Sequence, residues 1–171
     1  IESEGTYPLP EAQIDRFMLK VLVGYPSLTE EFVIVERMTQ AVETVQRIIS
    51  TEQLLAMQAE VDAVFVDPAL MEYAVRVAAA TREPNRYVSH GASPRASINL
   101  ILAAKALAYV RGRTYAMPED ARDLVHDVLR HRLVLSYEAL ADDISADAVV
   151  DQVLAQVPLP DVPLQEPARP V

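Results

Sequence analysis

The stretch 93-SPRASINLILAAKALAYVRG-112 decides the fold. Serine followed by proline starts a helix. The hydroxyl accepts from a free N–H of the first turn, and proline's fixed φ suits a first helical position, where no N–H is needed. Gly112 can end the helix. Between Ala96 and Val110 only Asn99 and Lys105 are strongly polar, and five alanines in that span let neighbouring backbones come close. The stretch therefore reads as the central helix of a bundle.

Helical patterns extend on both sides. Ser27 with Glu30 makes a capping box for a helix to about Thr39, followed by a second helical stretch near 41–49. Thr51 is expected to cap a helix to about Glu60. The β-branched and aromatic 61-VDAVFV-66 reads as extended. Asp67-Pro68 opens a helix to about Thr81. Pro118 opens another, with Glu119 and Asp120 at its positive end and Arg130, His131 and Arg132 at its negative end. Ser145 caps the last, which carries Val149, Val150, Val153, Leu154 and Val157 on one stripe. The tail 158-PLPDVPLQEPARPV-171 is too rich in proline for helix or ladder and reads as an extended linker or terminus.

The first residues differ. The run 5-GTYPLP-10 is loop chemistry, and Pro10 can open a short helix through Arg16. The run 17-FMLKVLV-23 reads as a strand covered on both faces, stopped by Gly24 and Pro26. No partner strand follows, so its sheet is expected upstream. Residues 1–26 are then expected to be displaced, or paired with another chain. The fold class is all-α: a helical bundle of five to seven helices after an orphaned strand.

Composition narrows the function. A formal net charge of −10 argues against a general nucleic-acid binder. Yet ten of the fifteen Lys and Arg residues lie between Arg76 and Arg132, against five acids, which leaves room for a local anion site. The plain reading of that charge is a solvated helical surface. There is no cysteine, which fits a reducing, cytoplasmic setting. No GxxxxGK[ST] loop and no HExxH occur. The three histidines lack ligand spacing with carboxylates, so no metal site is expected, and His126 reads as solvated.

Arg95 poses the sharpest question. One residue after Pro94, a guanidinium is disfavoured by the helix field by roughly 0.3–1 kcal/mol. An anion at the helix start reverses this, since free N–H groups and a forked cation then point at it together. Phosphate at Ser93, Pro94 and Arg95 is one reading. The other is that Arg95 turns into water or pairs with a carboxylate such as Glu119. Arg16 by itself reads as a structural or solvated arginine, set apart only by its place between a short helix and a buried strand.

The segments 4-EGTYPLPEAQIDRF-17, 80-ATRE-83, 91-GASPRAS-97, 103-AAKA-106, 111-RGR-113, 118-PEDA-121 and 128-VLRHR-132, in that order, resemble MoxR-family AAA+ ATPases. The resemblance runs to about Pro160. It implies the end of a nucleotide-binding core over 1–26, an α-helical lid over 27–157 and a proline-rich tail over 158–171. The phosphate loop, magnesium-binding acids and polar sensor of that family are expected before Ile1. The chain alone is therefore expected to be inactive, with no cofactor bound, and its parent to be an ATP hydrolase using ATP and Mg2+.

By the same resemblance, Arg16 falls at the arginine finger, which reaches the γ-phosphate held by a neighbouring subunit. Arg95 falls at the second sensor arginine, on the lid helix facing the nucleotide. The resemblance further implies a homo-oligomeric ring, such as a hexamer. It also implies von Willebrand factor A-domain partners and a chaperone-like role in remodelling or metal insertion. Two other classes stay open: the lid of a DNA-processing AAA+ ATPase, and a plain helical interaction module.

Overall fold

Short side chains set most helix starts, each by accepting an otherwise unpaired N–H. Ser27 opens α2 (Leu28–Met38) with a full capping box: the Glu30 amide donates to its hydroxyl, and Glu30 accepts from the Ser27 amide. Ser50, rather than Thr51, caps α3 (Thr51–Asp62), with Gln53 completing the box. Asp67 caps α4 (Pro68–Ala80), Ser93 caps α5 (Pro94–Val110) and Ser145 caps α8 (Ala146–Gln156). α6 (Pro118–Leu129) follows Met117, whose amide donates to Asp120 at 2.8 Å. Gly112, at φ 74°, turns the chain out of α5 in the left-handed conformation that glycine tolerates. This computed structural model describes residues 9–41 and 44–160.

α5 is the centre of the bundle. It packs most extensively on α4 and α6, while α3 also contacts it and α8 lies against α4 and α6. Its buried residues are Ala96, Leu100, Ala103, Ala104 and Ala108, so small side chains let the neighbouring helices close in. Leu70, Tyr73 and Val77 of α4, Val125 and Val128 of α6, and Val149 and Val150 of α8 fill the space between. The all-α reading holds, with a small addition. β1 (Val88–His90) pairs antiparallel with β2 (Val134–Leu135), and α7 (Tyr137–Ala141) follows directly. Both strands are too short to leave a periodic signal in sequence.

Three expectations are corrected. The run 17–23 is no strand; no ladder partner exists among the described residues, and its main chain is bound instead by side chains from the end of α6. Val21, Leu22 and Val23 are exposed. The described part of the predicted helix over 41–49 is irregular, and Val45 and Ile48 face solvent. A helix that short needs a packed face to persist. In 61–66, the first two residues extend α3, and only Phe65 pairs, in a bridge with Tyr115. Most of the loop expected over 5–10, and the tail from 161, lie outside the described residues.

Candidate functional site

The start of α5 is placed by the end of α4. Thr81, buried at the α4 C-cap, donates to the Ala78 carbonyl at 2.7 Å and accepts from the Ala92 amide at 2.9 Å. Arg82 Nε donates to the Ala92 carbonyl at 2.8 Å. Gly91 lies against this turn, so the 81–82 and 91–92 pairs form one interlocked unit. Ser93 follows at once, and its hydroxyl accepts from the Arg95 amide at 3.2 Å. Of the seven family-like segments, 80-ATRE-83 therefore acts by fixing where 91-GASPRAS-97 begins.

An anion does occupy the α5 start, and the protein supplies it. The Ser93 hydroxyl donates to the Asp15 carboxylate, 3.0 and 2.9 Å from its two oxygens, and Arg95 Nη1 donates to Oδ2 at 3.3 Å. Arg132 Nε donates to Oδ1 at 3.2 Å. Arg95 thus pairs with a carboxylate, though with Asp15 and not with Glu119. Its side chain is 49% exposed, whereas that of Arg132 is 0% exposed. Asp15 follows α1 (Glu11–Ile14) and directly precedes Arg16. The Arg16 side chain is exposed, with no partner among the described residues.

Residues 15–20 are docked on this chain, where displacement or pairing with another chain was expected over 1–26. Arg132 donates to the carbonyls of Asp15 and Met18, at 3.0 and 3.2 Å, as well as to those of Phe17 and Val128. His131 Nε2 donates to the Phe17 carbonyl at 3.0 Å, and Arg130 to that of Lys20 at 2.6 Å. The Lys20 amide donates to the Asp127 carbonyl at 2.8 Å. Arg130 is itself held by Asp147 and Asp127. Burial holds the His131 imidazole below its ordinary pKa. The Phe17 carbonyl opposes this, and the Arg132 and Lys20 cations add to it. A cleft of about 640 Å³ lies between this segment and the β1–β2 side, lined by Glu11, Asp15, His90, Ser93 and His131 among others.

A second buried pair braces the far end of α5. Asp120 is fully buried and accepts from Arg113 through both oxygens, at 2.7 and 2.5 Å, and from Arg111 at 2.8 Å. Burial raises the Asp120 carboxyl, but hydrogen bonds from Arg113, the Met117 amide and Arg111 outweigh it and leave the pKa lowered. The segments 111-RGR-113 and 118-PEDA-121 are therefore one ion-pair knot. His126 is not simply solvated, since Nε2 lies 2.9 Å from Asp151.

Sequence reasoning placed Ser93, Pro94 and Arg95 correctly at a helix start and Asp120 and Arg132 at the ends of α6, but missed Asp15 and the pairs that Arg132 and Asp120 make. Asp15 and Arg132 are 117 positions apart, and no local pattern joins them. Among the described residues, no group of three or more His, Asp or Glu could hold a metal ion. No described helix is long and apolar enough to cross a membrane.

Comparison with known proteins bears on this geometry. A family described as the AAA lid domain matches residues 76–153. The chaperone MoxR1 of Mycobacterium tuberculosis is 51% identical over 170 residues, which is 95% of this chain and 45% of that protein. The MoxR protein of Paracoccus denitrificans is 29% identical over 182 residues, 94% of this chain and 53% of that one. A crystal structure of a Cytophaga hutchinsonii protein, described as a candidate ATPase, superposes with a TM-score of 0.88. It is 37% identical, covering 94% of this chain and 52% of that one. The chain spans about half the length of the relatives it matches.

Proposed function

The chain belongs to the MoxR family of AAA+ proteins and carries a AAA lid domain, and on that premise we propose that it serves ATP binding and hydrolysis coupled to chaperone-like remodelling. The observation that carries this reading is the α5 start. Ser93 and a half-exposed Arg95 hold an anion there, and Arg95 is committed to it by one contact of 3.3 Å. A terminal phosphate has the charge and the acceptor oxygens to take that position. A helical module without nucleotide history could show the same ion pair, and the family membership is what separates the two.

In the complete protein, Arg95 meets the γ-phosphate and registers its loss as a movement of the lid. Arg16, exposed beside Asp15, is the finger that reaches nucleotide on a neighbouring subunit of a homo-oligomeric ring. There it neutralises charge developing on the transferred phosphoryl group, an effect on the order of 10³–10⁵ in rate where such arginines act. Ser93 and Pro94 fix the helix start that presents Arg95. The phosphate loop and the groups that hold Mg2+ are contributed by residues other than those described, so these residues alone do not hydrolyse ATP. A von Willebrand factor A-domain protein and a client protein are the partners this reading carries.

The test is Arg95→Ala in the full-length protein, with Mg-ATP affinity and steady-state turnover measured. Weaker binding together with slower turnover is expected. Wild-type values for both would remove Arg95 from the nucleotide site.

A further inference from the structure

The two arginines on the Asp15 carboxylate are held very differently. Arg132 is fully buried, and its five contacts run to Asp15 Oδ1 and to the carbonyls of Asp15, Phe17, Met18 and Val128. Removing it from them would strand a charge out of water. Arg95 is half exposed and has one contact with the carboxylate, at 3.3 Å. A half-exposed pair of that kind contributes little and exchanges readily. Of its two arginines, Asp15 therefore has one fixed and one exchangeable.

We infer that Asp15 is a positioning residue whose carboxylate stands in for phosphate at the α5 start and holds Arg95 in reserve until nucleotide displaces it. The inference rests on the phosphate role of Arg95 proposed above. A carboxylate and a phosphate cannot both lie against the Ser93 hydroxyl and the Arg95 guanidinium without strong repulsion between them. When phosphate arrives, Arg95 and Ser93 turn to it, and the carboxylate keeps Arg132. The main chain at Asp15 stays where Arg132 binds its carbonyl. Arg16 is the next residue, so the exchange of partners at Arg95 occurs beside the finger and informs it of nucleotide in its own subunit.

A double-mutant cycle in the full-length protein tests this, with Mg-bound non-hydrolysable ATP analogue as the probe. Asp15→Asn removes the competing charge and keeps the shape, so the analogue should bind about two- to five-fold more tightly. In an Arg95→Ala background the same substitution should tighten binding clearly less, because no guanidinium remains to be released and only the repulsion from the carboxylate is relieved. If Asp15→Asn weakens binding or leaves it unaltered, or tightens it equally in both backgrounds, Asp15 does not act through Arg95. If Arg95→Ala alone leaves both affinity and turnover at the wild-type values, the phosphate role itself fails, and this inference falls with it. Should Asp15→Asn alone not fold, Asp15→Asn with Arg132→Gln removes both halves of the buried pair and carries the same expectation.

Discussion

Gly91 and Thr81 touch through their main chains: a Cβ on Gly91 would sit 2.3 Å from the Thr81 carbonyl oxygen and 2.9 Å from the Arg82 amide nitrogen. Neither atom belongs to a flexible side chain, so the space can be made only by moving the backbone. Gly91→Ala should therefore destabilise the fold by roughly 1–3 kcal/mol, the range for overpacked sites. Thermal unfolding of the variant measures it. An unchanged midpoint would mean the turn yields freely and does not fix the α5 start.

Asp120 is the second structural test. Its carboxylate is fully buried against Arg113 and Arg111. Asp120→Asn leaves Arg113 short of a counter-charge, while Arg111 keeps Asp123, and should lower stability by roughly 1–3 kcal/mol. The lowered carboxyl pKa also sets a sign with pH. The stabilisation is complete above the unfolded value near 4 and is lost as pH falls through the folded value below it. Denaturant unfolding from pH 6 down to pH 2 should show this acid limb in the wild type and a shallower one in the variant.

His131 acts in a higher range. Its Nε2–H donates to the Phe17 carbonyl, while Nδ1 is buried without a hydrogen-bond partner among the described residues. Protonation would place a second N–H where nothing accepts it, beside the Arg132 and Lys20 cations. The folded pKa is lowered, so the contribution is complete above about pH 6.5 and is lost as pH falls below that. Amide exchange at residues 17–20 should accelerate relative to the α5 core between pH 7.5 and pH 5.5. His131→Gln, which keeps a donor for Phe17 and cannot titrate, should flatten that difference.

Arg16 makes a functional prediction. Its side chain is exposed, with no partner among the described residues, so Arg16→Ala should leave the melting temperature within about 1 °C of wild type, as most surface substitutions do. In the full-length protein it should reduce ATP turnover by at least 10³-fold, on the order expected of an arginine finger, with ATP affinity largely kept. Undiminished turnover would take Arg16 out of the catalytic assembly.

What could be read in the sequence was local. Ser27 with Glu30, Asp67-Pro68, Ser93-Pro94 and Ser145 each signal a helix start within four residues, and each start is found there. The alanine-rich span of α5 marked the bundle centre because small side chains have one main use in such a helix. The misses need tertiary information. An apolar run at 17–23 forms a strand only if a ladder is available, and here the end of α6 takes its carbonyls instead. The local reading of Arg95 left phosphate, water and a carboxylate open, and the carboxylate it meets is Asp15, arriving from 80 positions away.

Besides the Lys20 amide and the Leu19 side chain, which packs on the core, the docking of residues 15–20 depends on carbonyl oxygens, and every residue type has one. Arg130, His131 and Arg132 grip the main chain at Asp15, Phe17, Met18 and Lys20, while the side chains of Phe17 and Met18 point out and are exposed. Beyond Asp15, this strip of polypeptide can change its outward chemistry without loosening its seat. Substitutions at positions 17 and 18 should therefore change this outer surface long before they alter folding.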